Sequence, residues 1–178
     1  MSAAGGPPGP EERGERPQDA DTAAVLAANA RFYQAMEDGD LDAMEEVWVS
    51  GADADDRRGA VCVHPGWTLL RGRAAVIRSY ALIMANTEYI QFFLTDVEVD
   101  RPSPDVALVT CTENILSGGE ADEPGELGPL VGGRVVATNL FRRTAEGWRL
   151  CSHHGSPVLL SEDPDEDGGD EDGDAPAE

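Results

Sequence analysis

Apolar side chains recur at helical spacing in the first half of the chain and at every second position from residue 89 onward, so helices are expected first and strands after them. Residues 21–38, DTAAVLAANARFYQAMED, bring Val25, Ala28, Phe32 and Met36 onto one stripe, with Leu26, Asn29 and Tyr33 beside it. Gly39 ends this helix, and Asp40 is placed to cap a short second one lined by Leu41, Met44, Val47 and Trp48. SGADADDRRG, residues 50–59, reads as a polar loop. AVCVHPGW is a short strand cut off at Pro65, which has no N–H for a ladder, so His64 falls at a strand end. WTLLRG is a second short strand. Gly72 then opens a third helix with Val76, Ile77, Tyr80, Ile83 and Met84 on its apolar face, closed by Asn86.

IQFFLTDVEVD is expected to pair with VALVTCTENIL across Pro102-Ser103-Pro104-Asp105. A second hairpin spans residues 133–157, turning at Ala145-Glu146-Gly147, where glycine can take a positive φ. Strict alternation along its second arm puts Trp148, Leu150, Ser152 and His154 on one face and Arg149, Cys151 and His153 on the other. The acidic, Gly-rich connection at 117–132 is long for a compact domain and reads as a lid or rim.

Charge changes the picture at the ends. The chain of 178 residues has a formal net charge of −22, and residues 161–178 hold ten acidic and no basic residues. Residues 1–20 and 161–178 are therefore expected to be disordered tails around one domain at 21–160. An acidic chain repels phosphate, which argues against nucleic-acid and anionic-membrane partners. All 13 basic residues are arginine, which with the Ala, Gly, Pro and Asp content suggests a high-GC bacterial coding bias. Cys62, Cys111 and Cys151 sit singly in strand-like runs and read as small buried hydrophobes of a reducing cytoplasm. The sequence shows neither a long apolar run nor a signal-type h-region, so export and membrane spanning are not expected.

The order helix, short helix, His-Pro strand, helix, long antiparallel strands resembles the nuclear transport factor 2 fold and, within it, the SnoaL-like and ketosteroid isomerase-like proteins. The carrying residues are FYQAMEDGDLDAMEEVW, VHPGWTLLRGRAAVIRSY and LFRRTAEGWRLCSHHGSP. The resemblance implies an α+β cone in which three helices pack in a curved antiparallel sheet and a pocket opens at one end. It implies isomerase, dehydratase or cyclase chemistry, or no chemistry at all. Of the ketosteroid isomerase groups, the oxyanion tyrosine falls on Phe32, which cannot donate a hydrogen bond, the base falls on His64, and the protonated aspartate falls near Asn139. The final strand, Trp148 leading to His154-Gly155-Ser156, is also similar to the association domain of calcium/calmodulin-dependent kinase II. That likeness implies assembly rather than reaction.

These readings give His64 and His154 as candidate acid–base groups, because imidazole titrates near neutrality, with Asn139 on the neighbouring strand as the candidate partner of His154. His153 and His154 face opposite ways, so one of them lines a pocket, and the resemblance selects His154. Phe32, Tyr33, Trp48, Trp67, Tyr80 and Met84 are candidate walls for a largely apolar ligand, against the alternative that they are ordinary core. Cys62-x-His64 puts two metal-type ligands on one strand face, but Cys111, His153 or His154 would have to converge on them from distant strands and none shows zinc-finger spacing, so no metal is expected; no cofactor is expected either. Val136 or Ala137, with Phe141 and Leu108, would leave an apolar patch on the sheet, and a homodimer is the expectation that follows.

Overall fold

The computed structural model describes residues 17–51, 59–118 and 128–159. The expected tails, apart from residues 17–20, and the centre of the 117–132 connection lie outside these residues. Three helices, α1 (Pro17–Glu37), α2 (Leu41–Val47) and α3 (Arg73–Ala85), accompany six strands. The strands are β1 (Val61–Val63), β2 (Leu70–Arg71), β3 (Tyr89–Ser103), β4 (Val106–Gly118), β5 (Leu130–Thr144) and β6 (Gly147–Pro157).

Local chemistry sets the boundaries. Asp40 caps α2 by accepting from the Ala43 amide at 2.9 Å, Gly72 stands at the N-cap of α3, and Asn86 ends it. Gly147 takes φ 108 in the β5–β6 turn. Helix α1 opens four residues earlier than the hydrophobic stripe announces, on Pro17, a residue suited to a first helical turn.

The sheet runs β2-β1-β6-β5-β4-β3. It is mixed rather than wholly antiparallel, because β1 pairs with β6 in parallel, Cys62 opposite His153 and Val63 opposite His154. Such a pairing joins residues 91 apart in sequence and leaves no local sequence signal. Helix α1 packs on β3, β4 and β6, so the core forms between helices and sheet, with Val25, Met44, Trp48, Val76, Val109, Phe141 and Leu150 deep inside it.

One irregularity redirects the final strand. Phe141 pairs with Leu150 but Leu140 pairs with Ser152, so Cys151 is an extra residue, a β-bulge whose thiol donates to the Leu140 carbonyl at 3.2 Å. Leu150 and Cys151 are buried consecutively, and the alternation then resumes out of phase. His153 therefore points inward and His154 outward, the reverse of strict alternation counted from Trp148.

Trp148 ends the molecule opposite the histidines. Arg143 and Arg101 lie over its ring at 4.6 and 5.9 Å, and Asp21 bridges both guanidiniums, to Arg101 at 2.7 Å. The side-chain hydrogen bond from Arg143 leads the effects that hold the Asp21 carboxyl below its ordinary range. Among the described residues no helix is long and apolar enough to cross a membrane.

Candidate functional site

A cleft of about 180 Å³ lies between α1, α3, the β1 end and the inner faces of β3, β4 and β6. Phe32, Tyr33 and Met36 come from α1, Tyr80 and Ile83 from α3, Ile90 and Phe92 from β3, and Glu113 and Ile115 from β4. His64, Pro65, Trp67 and His153 complete the wall. Larger grooves exist, such as one of about 360 Å³ beside Arg31, Asp38, Glu46 and Arg149, which is a charged surface furrow. The smaller cleft combines an apolar wall with convergent polar groups, as ligand sites do.

Each polar group is held from behind. His64-Pro65-Gly66-Trp67 forms a turn closed by the Trp67 amide on the His64 carbonyl at 2.9 Å, with Gly66 at φ 79. The turn sets the Trp67 ring edge-on to His64, with centroids 5.0 Å apart. Pro65 packs against Gly155 of β6 so closely that a Cβ there would stand 3.1 Å from the proline ring and from Val135. On the other flank, Glu37 at the end of α1 accepts from the Phe92 amide at 2.7 Å and so docks β3.

The hydrogen-bond network reads in one direction. Tyr33 donates to Glu113 Oε1 at 2.7 Å, and Asn139 Nδ2 donates to the Tyr33 oxygen at 3.1 Å and to Asn29 Oδ1 at 2.9 Å. Asn139 Oδ1 is left facing His153 Nδ1 at 2.7 Å. His64 Nε2 lies 2.8 Å from Ser79 Oγ, which itself donates to the Val76 carbonyl at 2.7 Å. Cys62 Sγ touches His64 and the Tyr80 hydroxyl only at 3.6 to 3.8 Å, which is weak contact.

Burial dominates the titration. The Glu113 carboxyl is pushed up to about 7 by desolvation, against the opposing hydrogen bond from Tyr33. Desolvation carries His64 down to about 4 and His153 down to about 3, the latter helped by repulsion from His64 and His154. Both imidazoles are therefore neutral at pH 7. Desolvation likewise lifts the Cys62 thiol to about 12 and the Tyr33 phenol far above its usual value, so neither is a nucleophile at neutral pH.

The predicted site residues divide clearly. His64, Phe32, Tyr33, Trp67 and Tyr80 line the cleft, and Asn139 stands behind it, bonded to His153. His154 does not, because the Cys151 bulge turns it to the outer face. Trp48 is fully enclosed, bridged to Leu150 and packed 6.0 Å from Tyr80, and belongs to the core. Met84 packs half-buried on the core while Ile83 takes the cleft position, being the residue three after Tyr80 on the helix stripe. Glu113 is the group that reading the pattern passed over. Its signal was present in Val109-x-Cys111-x-Glu113, where a carboxylate occupies an inward position of a strand. Among the described residues no cluster of His, Cys, Asp or Glu is arranged to hold a metal.

The sequence profile of the SnoaL-like domain matches residues 25–160. A Streptomyces avermitilis protein, provisionally named a dehydratase of the nuclear transport factor 2-like family, is 59% identical, with 80% of this chain and 99% of that chain covered and a TM-score of 0.74. A Thiobacillus denitrificans protein, provisionally named a calcium/calmodulin-dependent protein kinase type II association domain, is 30% identical, with 75% and 94% covered and a TM-score of 0.58. An F-box protein of Arabidopsis thaliana, SKIP8, is 24% identical over 143 residues, 80% of this chain. The chain spans about half the length of that curated relative, 53% of it.

Proposed function

The chain belongs to the SnoaL-like domain family, and from that premise we propose that its cleft binds a small, largely apolar molecule and moves a proton on it through Glu113. The observation that carries this reading is a carboxyl in an apolar wall, aimed by a tyrosine and held near pH 7 by burial. A group titrating at the working pH is both a competent acid and a competent base, whereas His64 and His153 are too weakly basic to carry the proton. Isomerisation, dehydration and cyclisation all need one such transfer. The Streptomyces relative's provisional name points to the second.

Carboxyl-carbon NMR across pH tests the assignment. A resonance that titrates near 7 and vanishes in Glu113→Gln supports it, and a Glu113 midpoint near 4.5 overturns it. Native mass spectrometry of the full chain reports any retained ligand and the subunit number together.

The sheet's outer face favours a second, compatible role in assembly. Its central positions on β4, β5 and β6 carry Leu108, Thr110, Thr112, Val136, Thr138 and His154 and no carboxylate, in a chain with 35 acidic residues. Two copies could meet over these positions with the carboxylates of Glu98 and Asp100 kept to the β3 side of the face, and Val136 is 48% exposed at the centre. Leu108 and Val136 keep their expected outward places, while Ala137 and Phe141 are buried. Val136→Glu should convert a dimer to a monomer in light scattering; a monomeric parent would overturn this role.

A further inference from the structure

The network behind the cleft fixes where the imidazole protons lie. Asn139 has two N–H groups, and both are engaged, on Asn29 and on Tyr33, whose own proton serves Glu113. Its oxygen is thus the group at 2.7 Å from His153 Nδ1, and only an N–H can make that contact favourable. A neutral imidazole with its proton on Nδ1 has a bare lone pair on Nε2. Among the described residues Nε2 has no partner, yet it is not among the buried side-chain atoms sealed without one, so it opens to the cleft His153 lines. The same reasoning applies to Glu113 Oε2.

His64 obeys a parallel constraint. Ser79 has one proton, and its 2.7 Å contact with the Val76 carbonyl requires that proton, so His64 must donate from Nε2 to Ser79. His64 Nδ1 then keeps its lone pair, met only by a thiol 3.8 Å away. Two imidazoles whose centroids lie 6.3 Å apart both offer acceptors where random tautomers would offer a mixture.

We propose that this cleft selects an uncharged aromatic ligand bearing a hydroxyl group, a phenol or enol, which donates to His153 Nε2, and that Asn139 is the positioning residue that keeps that nitrogen an acceptor. The rest of the wall agrees. Among the described residues no arginine lines the cleft, and the chain has no lysine, so an anion would meet only lone pairs and Glu113 there. Phe32, Tyr33, Trp67 and Phe92 offer ring faces and edges to a flat molecule. A volume of about 180 Å³ lies below the usual range of roughly 300 to 1,000 Å³, which suits one or two fused rings. The inference shares the cleft with the acid–base reading, and an equilibrium measurement with a probe that does not react separates the two.

The test titrates the full-length protein with 2-naphthol, 2-methoxynaphthalene, 2-naphthoate and 1-naphthylmethylamine at pH 7.5 by calorimetry. Naphthol should bind at least tenfold more tightly than its methyl ether, and naphthoate should be weakest. Long-range proton–nitrogen NMR of the unmodified protein should show His153 as the Nδ1–H tautomer, a readout that needs no variant to fold. In Asn139→Leu that tautomer preference should vanish and the naphthol advantage fall below threefold, with the ether bound as before. In Glu113→Gln the naphthol advantage should persist even where turnover is lost. An Nε2–H tautomer, equal binding of naphthol and ether, tighter binding of naphthoate or of the amine, or no binding by any of the four overturns the proposal. None of these outcomes alters the Glu113 titration, which decides the acid–base reading separately.

Discussion

His153 and His154 are covalent neighbours with opposite fates. His153 is 5% exposed, bonded to Asn139 and held neutral by desolvation, while His154 stands in the open beside Thr138 on the far side of the same sheet. The contrast extends along β4 and β5. Inward positions carry Glu113 and Asn139 within a network, and the outward positions next to them carry Thr112 and Thr138, which answer to no such network. Chemistry in this fold is thus assigned by face, and one bulged residue, Cys151, sets the face for the terminal histidines. Buried polar groups gain precise partners and perturbed titration, and each becomes costly to orphan.

The sharpest way to break the comparison is to remove the amide that serves three partners. Asn139→Leu leaves His153, Tyr33 and Asn29 short of a hydrogen bond in the interior, and a loss on the order of 4 kcal/mol is expected. Thr138→Val, one residue away and on the outer face, should change stability by less than about 0.5 kcal/mol. Urea unfolding of the two variants side by side reads the difference. Similar losses at both positions would mean that the faces are not distinct.

Glu113→Gln comes next, and its sign depends on pH. The folded carboxyl titrates at about 7, above its ordinary 4.5, so its contribution to stability is complete below 4.5 and is lost as pH rises through 7. Above pH 7 the parent must hold an ionised group in an apolar wall. Glutamine avoids this, and the variant should be more stable at pH 8 by up to about 3 kcal/mol, with the advantage shrinking toward pH 5. The two buried histidines act oppositely, contributing stability above 6.5 that is lost as pH falls through about 4 and 3. Two histidines outweigh one carboxyl where all three titrate, so the parent should unfold more readily as pH falls below about 6 and change little above 7, which a pH series of melting curves would show.

How much of this was legible follows from the range over which each feature is decided. Helix ends answer to one or two residues, and Asp40, Gly72 and Asn86 mark them as the sequence announces. The two hairpins are equally local, and their turns fall where Pro, Asp and Gly cluster. The bulge at Cys151 is not local. It exists because β6 must pair with β5 on one side and with β1 on the other, and strict alternation cannot anticipate the extra residue. Trp48 and Trp67 look alike as aromatic residues beside loops, yet one is sealed and the other lines the cleft, a choice made by packing. Glu113 was legible in principle, since a charged residue at an inward strand position is uncommon unless it has work to do.

A milder variant probes the link between β6 and the His-Pro turn. Gly155→Ala would place a methyl group 3.1 Å from Pro65 and Val135, a crowding worth about 1 to 2 kcal/mol. Its value lies in direction, because a shift of Pro65 away from the new methyl group would carry the adjoining His64 away from Ser79. The Nε2–H signal of His64 should broaden or exchange faster in the variant while His153 keeps its tautomer.

The smallest expected effect is the most discriminating for the face assignment. His154→Ala removes an exposed imidazole with no described hydrogen bond, so the melting temperature should move by no more than about two degrees, the equivalent of roughly 0.5 kcal/mol. Binding of 2-naphthol should also stay within twofold of the parent. His153→Ala, at the adjacent residue, should lose the naphthol preference and destabilise the fold by leaving Asn139 Oδ1 without its donor. If His154→Ala instead abolished binding, the final strand would have to run one residue out of register, with Cys151 paired and the alternation restored from Trp148. That single shift would exchange the two histidines, bury Ser152 and Ser156 in place of Cys151 and Gly155, and strand Asn139 without its acceptor role. The pairing of Asn139 with His153 argues against it, because β5 and β6 bring the amide and the imidazole together as cross-strand partners, side by side on the inner face.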